Sequence, residues 1–402
     1  MKINELSVSK RIENLGISPT MKVAGEAIAM KANGENVIDL SVGEPDFPTP
    51  QNIKEAAKRA IDNGHTKYTL NSGTVELRKA IADSLKRDYN IKYGLDEIIV
   101  SSGAKHSIFN TIMATVQIDD EVIIPAPYWV SYPQMVKLAH GDPVIVPTTE
   151  ETGFKITREK LLNAITPYTK AIILCNPSNP TGSAYTKDEL EMIAEVVTEN
   201  RIFVIADEIY AKLIYDDFEF TSFASLSEEI KKRTVLINGV SKAYAMTGWR
   251  VGYAAGPQNI ITGINTLQSH STSHASSIAQ QATVEALNGP QNVIEEMRKE
   301  FEKRRNFLYT ELNTIKGISC SKPEGAFYLF PNITGLFNKT YGDKTIKNSN
   351  DFAMYLLQTA KAAVVPGSAF GAEGYLRISY ANSMENLEKG VKRISEAVEK
   401  LS

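Results

Sequence analysis

The sequence predicts an α/β fold with a mostly parallel sheet in a large domain and a smaller α+β domain beside it. Three observations carry this. Short β-branched runs recur through the first 255 residues, and several are continuous rather than alternating, as strands buried on both faces are. Segments of helical period separate them, the pattern of strand–helix–strand units. A long amphipathic stretch, Gln291–Ile315, then breaks the alternation.

Taken in order, the expected strands are Val37–Val42, Ile98–Ser101, Val122–Ile124, Val144–Val146, Ala171–Leu174, Phe203–Ala206, Val235–Asn238 and Val251–Ala255. Between them Ile53–Asn63, Val75–Tyr89 and Lys187–Glu199 read as helices. The last begins after Thr186, three residues before Glu189, which makes a capping box. In Gln291–Ile315, apolar residues at Ile294, Met297, Phe301, Leu308, Leu312 and Ile315 mark one face of a single long helix. Beyond it Ala326–Phe330 and Tyr375–Tyr380 are expected strands, and a domain change is expected near the start of the helix.

Composition excludes several classes of function. The 402 residues include 44 Lys+Arg and 47 Asp+Glu, a net charge of −3, which gives no basic face for nucleic acid and no attraction to an anionic membrane. No apolar run reaches the ~18 residues of a membrane span. Residues Met1–Lys10 lack the apolar core of a signal peptide. Cys175 and Cys320 form no CxxC, and the five histidines show no metal-ligand spacing. A cytoplasmic protein without metal is the expectation.

Four local patterns carry chemistry. In Gly239–Gly252, Lys242 follows a buried strand among small and hydroxylated residues, and Arg250 stands eight residues on. A lysine in partly apolar surroundings gives up its charge readily and can form a Schiff base, while an arginine suits a phosphate. Taken alone, Lys242 also reads as a surface lysine. Asp207, in Asp207-Glu208-Ile209-Tyr210, ends a hydrophobic run where open α/β sheets bind ligands. It reads equally as a helix N-cap. Asn176-Pro177-Ser178-Asn179-Pro180-Thr181-Gly182 makes a rigid turn at a strand end and offers Asn179 as a polar ligand. Ser101-Ser102-Gly103-Ala104-Lys105 joins a strand to a helix start, where free backbone N–H groups bind phosphate. Together they supply what pyridoxal 5′-phosphate requires: a lysine, an acid for the ring nitrogen, and a phosphate cradle.

With Ser41-Val42-Gly43-Glu44-Pro45-Asp46-Phe47 and Pro127-Tyr128-Trp129-Val130-Ser131-Tyr132, these patterns make five motifs in order. From about Ser18 to Asn382 the chain resembles the fold-type I, class I pyridoxal-phosphate-dependent aminotransferases, and within them the bacterial aspartate aminotransferases of the Ib subgroup. The resemblance implies a seven-stranded, mostly parallel sheet in a large domain of residues 51–294, and a small domain of residues 1–50 with 295–402. It implies that Lys242 forms the Schiff base and shuttles the proton, and that Asp207 keeps the ring nitrogen protonated. Tyr210 and Asn179 would bond the ring oxygen and Trp129 would stack on the ring. Arg250, Ser241 and the Gly103–Ala104 backbone would hold the phosphate. Tyr68 would reach the phosphate of the neighbouring subunit in a homodimer with shared active sites.

Arg377, in Tyr375-Leu376-Arg377-Ile378-Ser379-Tyr380, would grip the substrate α-carboxylate, with the Gly43 backbone against the same group. Lys105 would meet the distal carboxylate of a dicarboxylic substrate, and Ser18 and Thr20 would stand near the entrance. Aspartate with 2-oxoglutarate is the expected substrate pair, and prephenate an alternative acceptor. His274-Ala275 replaces an Asn-Pro common in relatives near the shared site. A β-lyase would share the cofactor residues. A cofactor-binding regulatory module would need an added DNA-binding segment, for which the motifs leave no stretch. A dinucleotide-dependent dehydrogenase lacks its Gly-x-Gly-x-x-Gly.

Overall fold

The computed structural model describes residues 8–13, 15 and 19–402. Its central sheet has seven strands: β1 (Ile98–Ser101), β2 (Glu121–Ala126), β3 (Asp142–Pro147), β4 (Thr169–Cys175), β5 (Phe203–Asp207), β6 (Thr234–Gly239) and β7 (Gly252–Ala255). Their order is β1-β7-β6-β5-β4-β2-β3. Only β7 runs antiparallel, pairing with β1 on one side and β6 on the other. The expected mostly parallel sheet is therefore present, and each expected run of the sheet lies on one of its strands, within one or two residues at each end.

The continuous apolar runs are explained by packing on both faces. Ile99, Val122, Ile124, Ile173 and Ile205 meet the helices Ala104–Thr115, Tyr132–Leu138 and Gln258–Ser269. On the other face Ile123, Ile172, Leu174 and Val204 meet Lys187–Glu199. Thr186 Oγ1 accepts from Glu189 N while Glu189 Oε2 accepts from Thr186 N, so the capping box forms as expected. The long helix spans Asn292–Thr314, with Ile294, Met297, Phe301, Leu308 and Leu312 buried. After it a three-stranded antiparallel sheet joins Tyr328–Leu329, Leu376–Ser379 and Val365–Pro366.

Two expected strands are shorter than the apolar pattern suggests. Of Val37–Val42 only Ile38–Asp39 forms a strand, paired in parallel with Ala362–Ala363. The chain then leaves the pairing because the carbonyls of Ser41 and Gly43 turn to side chains, Arg377 and Lys242. Of Ala326–Phe330 only Tyr328–Leu329 pairs, since Ala326 adopts φ +59° and its carbonyl accepts from the hydroxyls of Tyr215 and Tyr380.

The strand ends fix where a ligand can sit. Asp207 closes β5 and Cys175 closes β4, side by side in register. Both line one cavity of about 740 Å³ at the carboxyl edge of the sheet, the place where open α/β folds take ligands. Ser18 lies outside the described residues, and Thr20 lies in the helix Pro19–Ala32.

Candidate active site

Eleven of the thirteen residues singled out from sequence line this cavity: Gly43, Ala104, Lys105, Trp129, Asn179, Asp207, Tyr210, Ser241, Lys242, Arg250 and Arg377. Gly103 stands behind Ala104, and Tyr68 lies away from the cavity.

Lys242 sits in the turn after β6, and its Nζ donates to the Gly43 carbonyl at 2.5 Å. The Tyr210 and Phe327 rings stand 5.8 and 5.6 Å from the same nitrogen. Burial, with the neighbouring positive charge of Arg377, brings this amine down to about 8, against opposing pulls from Glu44 and Asp207. It therefore loses its proton far more easily than an exposed lysine.

Asp207 is buried, and burial pushes its carboxyl up to about 6. It rises that far against the lowering pulls of the Tyr132 hydroxyl, 2.6 Å from Oδ2, the Ile209 N–H, 3.3 Å from Oδ1, and the Lys242 charge. The outcome is a carboxylate still ionised at neutral pH in a water-poor place, with a strong demand for a cationic partner. The helix N-cap reading of Asp207 does not hold: turns and no helix follow it, and the Ile209 N–H bond closes one of these turns.

Arg377 crosses from the antiparallel sheet. Its Nη1 donates to Asn179 Oδ1 at 3.0 Å and its Nη2 to the Ser41 carbonyl at 2.6 Å. The guanidinium is sandwiched 4.5 Å from the Tyr328 ring and 5.1 Å from the Phe370 ring. No carboxylate pairs with it among the described residues, and Nε has no partner, so an anion in the cavity would meet a fork held by two neutral carbonyl oxygens with its charge uncompensated.

At the other end Arg250 adopts φ +56°, which turns its side chain back over the start of the helix Ala104–Thr115. Nη1 is held by the Thr247 carbonyl at 2.9 Å. Gly103 has φ +91°, and a Cβ there would lie 2.6 Å from Arg250 Nη2. Gly252 is needed for the same close approach, since its Cβ would fall 2.2 Å from Ala104 N. The result is a helix N-terminus with an arginine beside it, a site for a doubly charged oxyanion. Ser241 is buried beside it in the cavity wall.

Trp129 packs edge-on against Tyr132, with centroids 5.3 Å apart, and Lys105 Nζ lies 4.7 Å from its ring centroid. Burial and, after it, the charge of Arg250 lower the Lys105 amine. Tyr68 is 92% exposed, its ring edge-on to His274 at 5.7 Å.

Three wall residues carried no role in the sequence reading. Tyr132 bonds Asp207 although it closes a motif already singled out. The Tyr328 hydroxyl meets that of Tyr210 at 2.9 Å. Glu44 accepts from Thr247 Oγ1 at 2.7 Å at the rim. Each is an aromatic or charged residue whose partner is far away in sequence, so only the five-motif set, which contains Tyr132 and Glu44, could have pointed to those two, and nothing local pointed to Tyr328.

Among the described residues no helix is long and apolar enough to cross a membrane, and no cluster of His, Cys, Asp and Glu could hold a metal ion.

Comparison with known proteins identifies the family. The family model "Aminotransferase class I and II" matches residues 35–394. An aspartate aminotransferase from Bacillus subtilis is 49% identical, covering 99% of this chain and 100% of its own. A probable aspartate/prephenate aminotransferase from Rickettsia conorii is 50% identical over 98% of both chains. The crystal structure of the aspartate aminotransferase from Rhizobium meliloti superposes with a TM-score of 0.96 at 45% identity, covering 99% of this chain and all of that one. A lysine, an aspartate and two arginines around one cavity in a seven-stranded sheet, with relatives matching from end to end, lead to one conclusion: the chain belongs to the class I and II aminotransferases.

Proposed function

We propose that this aminotransferase binds pyridoxal 5′-phosphate in the cavity and moves the amino group of L-aspartate to 2-oxoglutarate, giving oxaloacetate and L-glutamate. The observation that carries this reading is the convergence of Lys242, Asp207 and Arg377 on one cavity. The donor set fits the cofactor. Lys242 offers an amine of lowered proton affinity, Asp207 an acid for a ring nitrogen, and Tyr210 and Asn179 polar atoms for a ring oxygen. Trp129 offers a face, while Arg250, Ser241 and the Gly103–Ala104 turn offer a phosphate cradle that an added Cβ would fill.

When bound, pyridoxal phosphate supplies the electron sink for the charge left at the substrate's Cα. The chain's own residues do the rest. Lys242 would be the attachment point, and its freed amine would take the proton from the amino acid's Cα and hand it on to the cofactor within the same half-reaction, the second half-reaction running the transfer in reverse. Asp207, ionised at neutral pH, would keep the ring nitrogen protonated. Arg377 grips the α-carboxylate beside the Gly43 backbone, orienting Cα toward Lys242. Lys105 faces the same cavity and is the cation for a distal carboxylate, which favours aspartate over alanine. The aromatic walls of Tyr210, Phe327 and Tyr328 exclude water from the amine.

We further assign residues 51–294 to a large cofactor domain and 1–50 with 295–402 to a small domain. The packing of Ile38 and Leu40 with Phe301, Leu308 and Leu387 supports this division. A homodimer with Tyr68 reaching the neighbour's phosphate is supported by the exposure of Tyr68, Leu70 and Val75 on one segment. Two free cysteines suit the reducing cytoplasm. A second reading, aspartate/prephenate aminotransferase, is favoured by the name of the Rickettsia relative.

The test is an amino-donor panel with 2-oxoglutarate as acceptor, using aspartate, alanine and phenylalanine, and with prephenate as alternative acceptor. Aspartate should be the best donor, and no turnover with it would overturn the reading. Lys105→Ala should cost aspartate about tenfold more in kcat/KM than it costs alanine. Equal losses would remove Lys105 from substrate recognition.

A further inference from the structure

We infer that Gln268 is a positioning residue that sets the Ser101–Ala104 turn in register with the segment carrying Tyr68. The inference rests on the proposed phosphate site at that turn. Gln268 is fully buried near the end of the helix Gln258–Ser269, 18 residues past Arg250, and touches none of the cavity. An amide has two N–H donors and one oxygen with two lone pairs, and here all four are used. Nε2 donates to the Val100 carbonyl at 2.9 Å and to the Asn71 carbonyl at 2.8 Å. Oε1 accepts from Ser101 Oγ at 2.7 Å and from Asn110 Nδ2 at 3.2 Å. The two carbonyls can only accept, so the orientation of the amide is fixed by its partners.

Those partners belong to the pieces that build the phosphate site. Val100 and Ser101 end β1 and lead directly into Gly103, whose N–H bonds back to the Ser101 carbonyl at 2.7 Å. Asn110 lies on the helix whose N-terminus faces the cavity. Asn71 lies three residues beyond Tyr68, and its strand of chain is laced to β1 by Val100 N bonding the Ser72 carbonyl at 3.0 Å. The Gln268 carbonyl also receives Ser273 N at 3.0 Å, which anchors the loop that brings His274 against Tyr68. One side chain thus joins the turn, the helix behind it and the segment offered outward. A buried amide with all four of its bonds made is held rigidly, even though Asn110 Oδ1 beside it has no partner, and removing it leaves carbonyls and a hydroxyl unpaired together.

The test compares apo wild type, Gln268→Leu and Ser101→Ala, each titrated with pyridoxal phosphate and with pyridoxal, followed by tryptophan fluorescence. The dissociation constant for pyridoxal divided by that for pyridoxal phosphate reads the phosphate's share of binding, which a residue serving stability alone would not change. The ratio should fall about tenfold in Gln268→Leu and about threefold in Ser101→Ala, which removes one bond of the network. An unchanged ratio in the folded variants, with only a lower thermal midpoint, overturns the inference. If Gln268→Leu does not fold, the Ser101→Ala ratio decides alone. A wild type that binds both compounds equally would instead overturn the phosphate site itself, and this inference with it.

Discussion

Tyr132 donates its hydroxyl to Asp207 Oδ2 at 2.6 Å, and both side chains are buried. Burial acts on Asp207 in one direction and this bond in the other. The phenol therefore has a chemical consequence beyond packing: it keeps the carboxylate ionised where the proposed mechanism needs a negative charge.

Tyr132→Phe keeps the ring and removes only the donor. The Asp207 carboxyl should then hold its proton to higher pH, and the acid limb of the kcat profile should move up by about half to one pH unit. A pH–rate series with saturating aspartate checks this. An acid limb in the same place would show that the bond does not govern Asp207.

Arg377→Ala removes the two-pronged donor and leaves Asn179 Oδ1 and the Ser41 carbonyl without their partner. KM should rise about 100-fold for both the amino acid and the oxo acid, since both carry the carboxylate it is assigned to. Steady-state kinetics with each substrate varied in turn gives the answer. A rise for one substrate alone would contradict a shared α-carboxylate site.

Glu208 points away from the cavity. Its Oε1 accepts from Phe223 N at 2.8 Å and Ser222 Oγ at 3.0 Å, and its Oε2 is buried without a partner. Burial pushes this carboxyl up to about 8. The folded state then keeps a proton that the unfolded chain releases at ordinary carboxylate values. The stability so gained is complete below the unfolded pKa and is lost as pH rises through about 8. Glu208→Gln, neutral at every pH, should lose less on going from pH 5.5 to 8.5. In thermal melts of the apoprotein its drop in midpoint should be smaller than the wild type's by at least about 2 °C. Equal drops would mean that Glu208 is ionised in the folded protein.

Much of this architecture is legible in the chain itself. Ile98–Ser101, Val75–Tyr89 and Lys187–Glu199 fall on their elements end for end, because their period, caps and burial agree. Lys242 and Asp207 could be singled out because each stands in one of five motifs that occur together in order, and Arg377 because the resemblance those motifs carry assigns it a role; taken alone, each has a commonplace reading. Tyr132 and Tyr328 could not be given roles that way. A tyrosine in an apolar stretch reads as core, and its hydroxyl partner is set by which strand ends meet in space. The bend at Ser41–Gly43 was hidden for a related reason, since a carbonyl's choice between strand pairing and a distant arginine leaves no trace in hydrophobic period. Gln268 is the extreme instance, a polar residue in a helix whose four partners come from three other segments.

The central claim is that the buried Lys242 amine is the group that joins the cofactor and moves the substrate proton. The most direct measurement is aspartate turnover by Lys242→Ala in saturating pyridoxal phosphate with 2-oxoglutarate. The variant should fold, bind the cofactor through the remaining contacts, and lose turnover by about 10⁴-fold or more. Turnover within about tenfold of the wild type would contradict the account, because no other amine stands at that position in the cavity among the described residues.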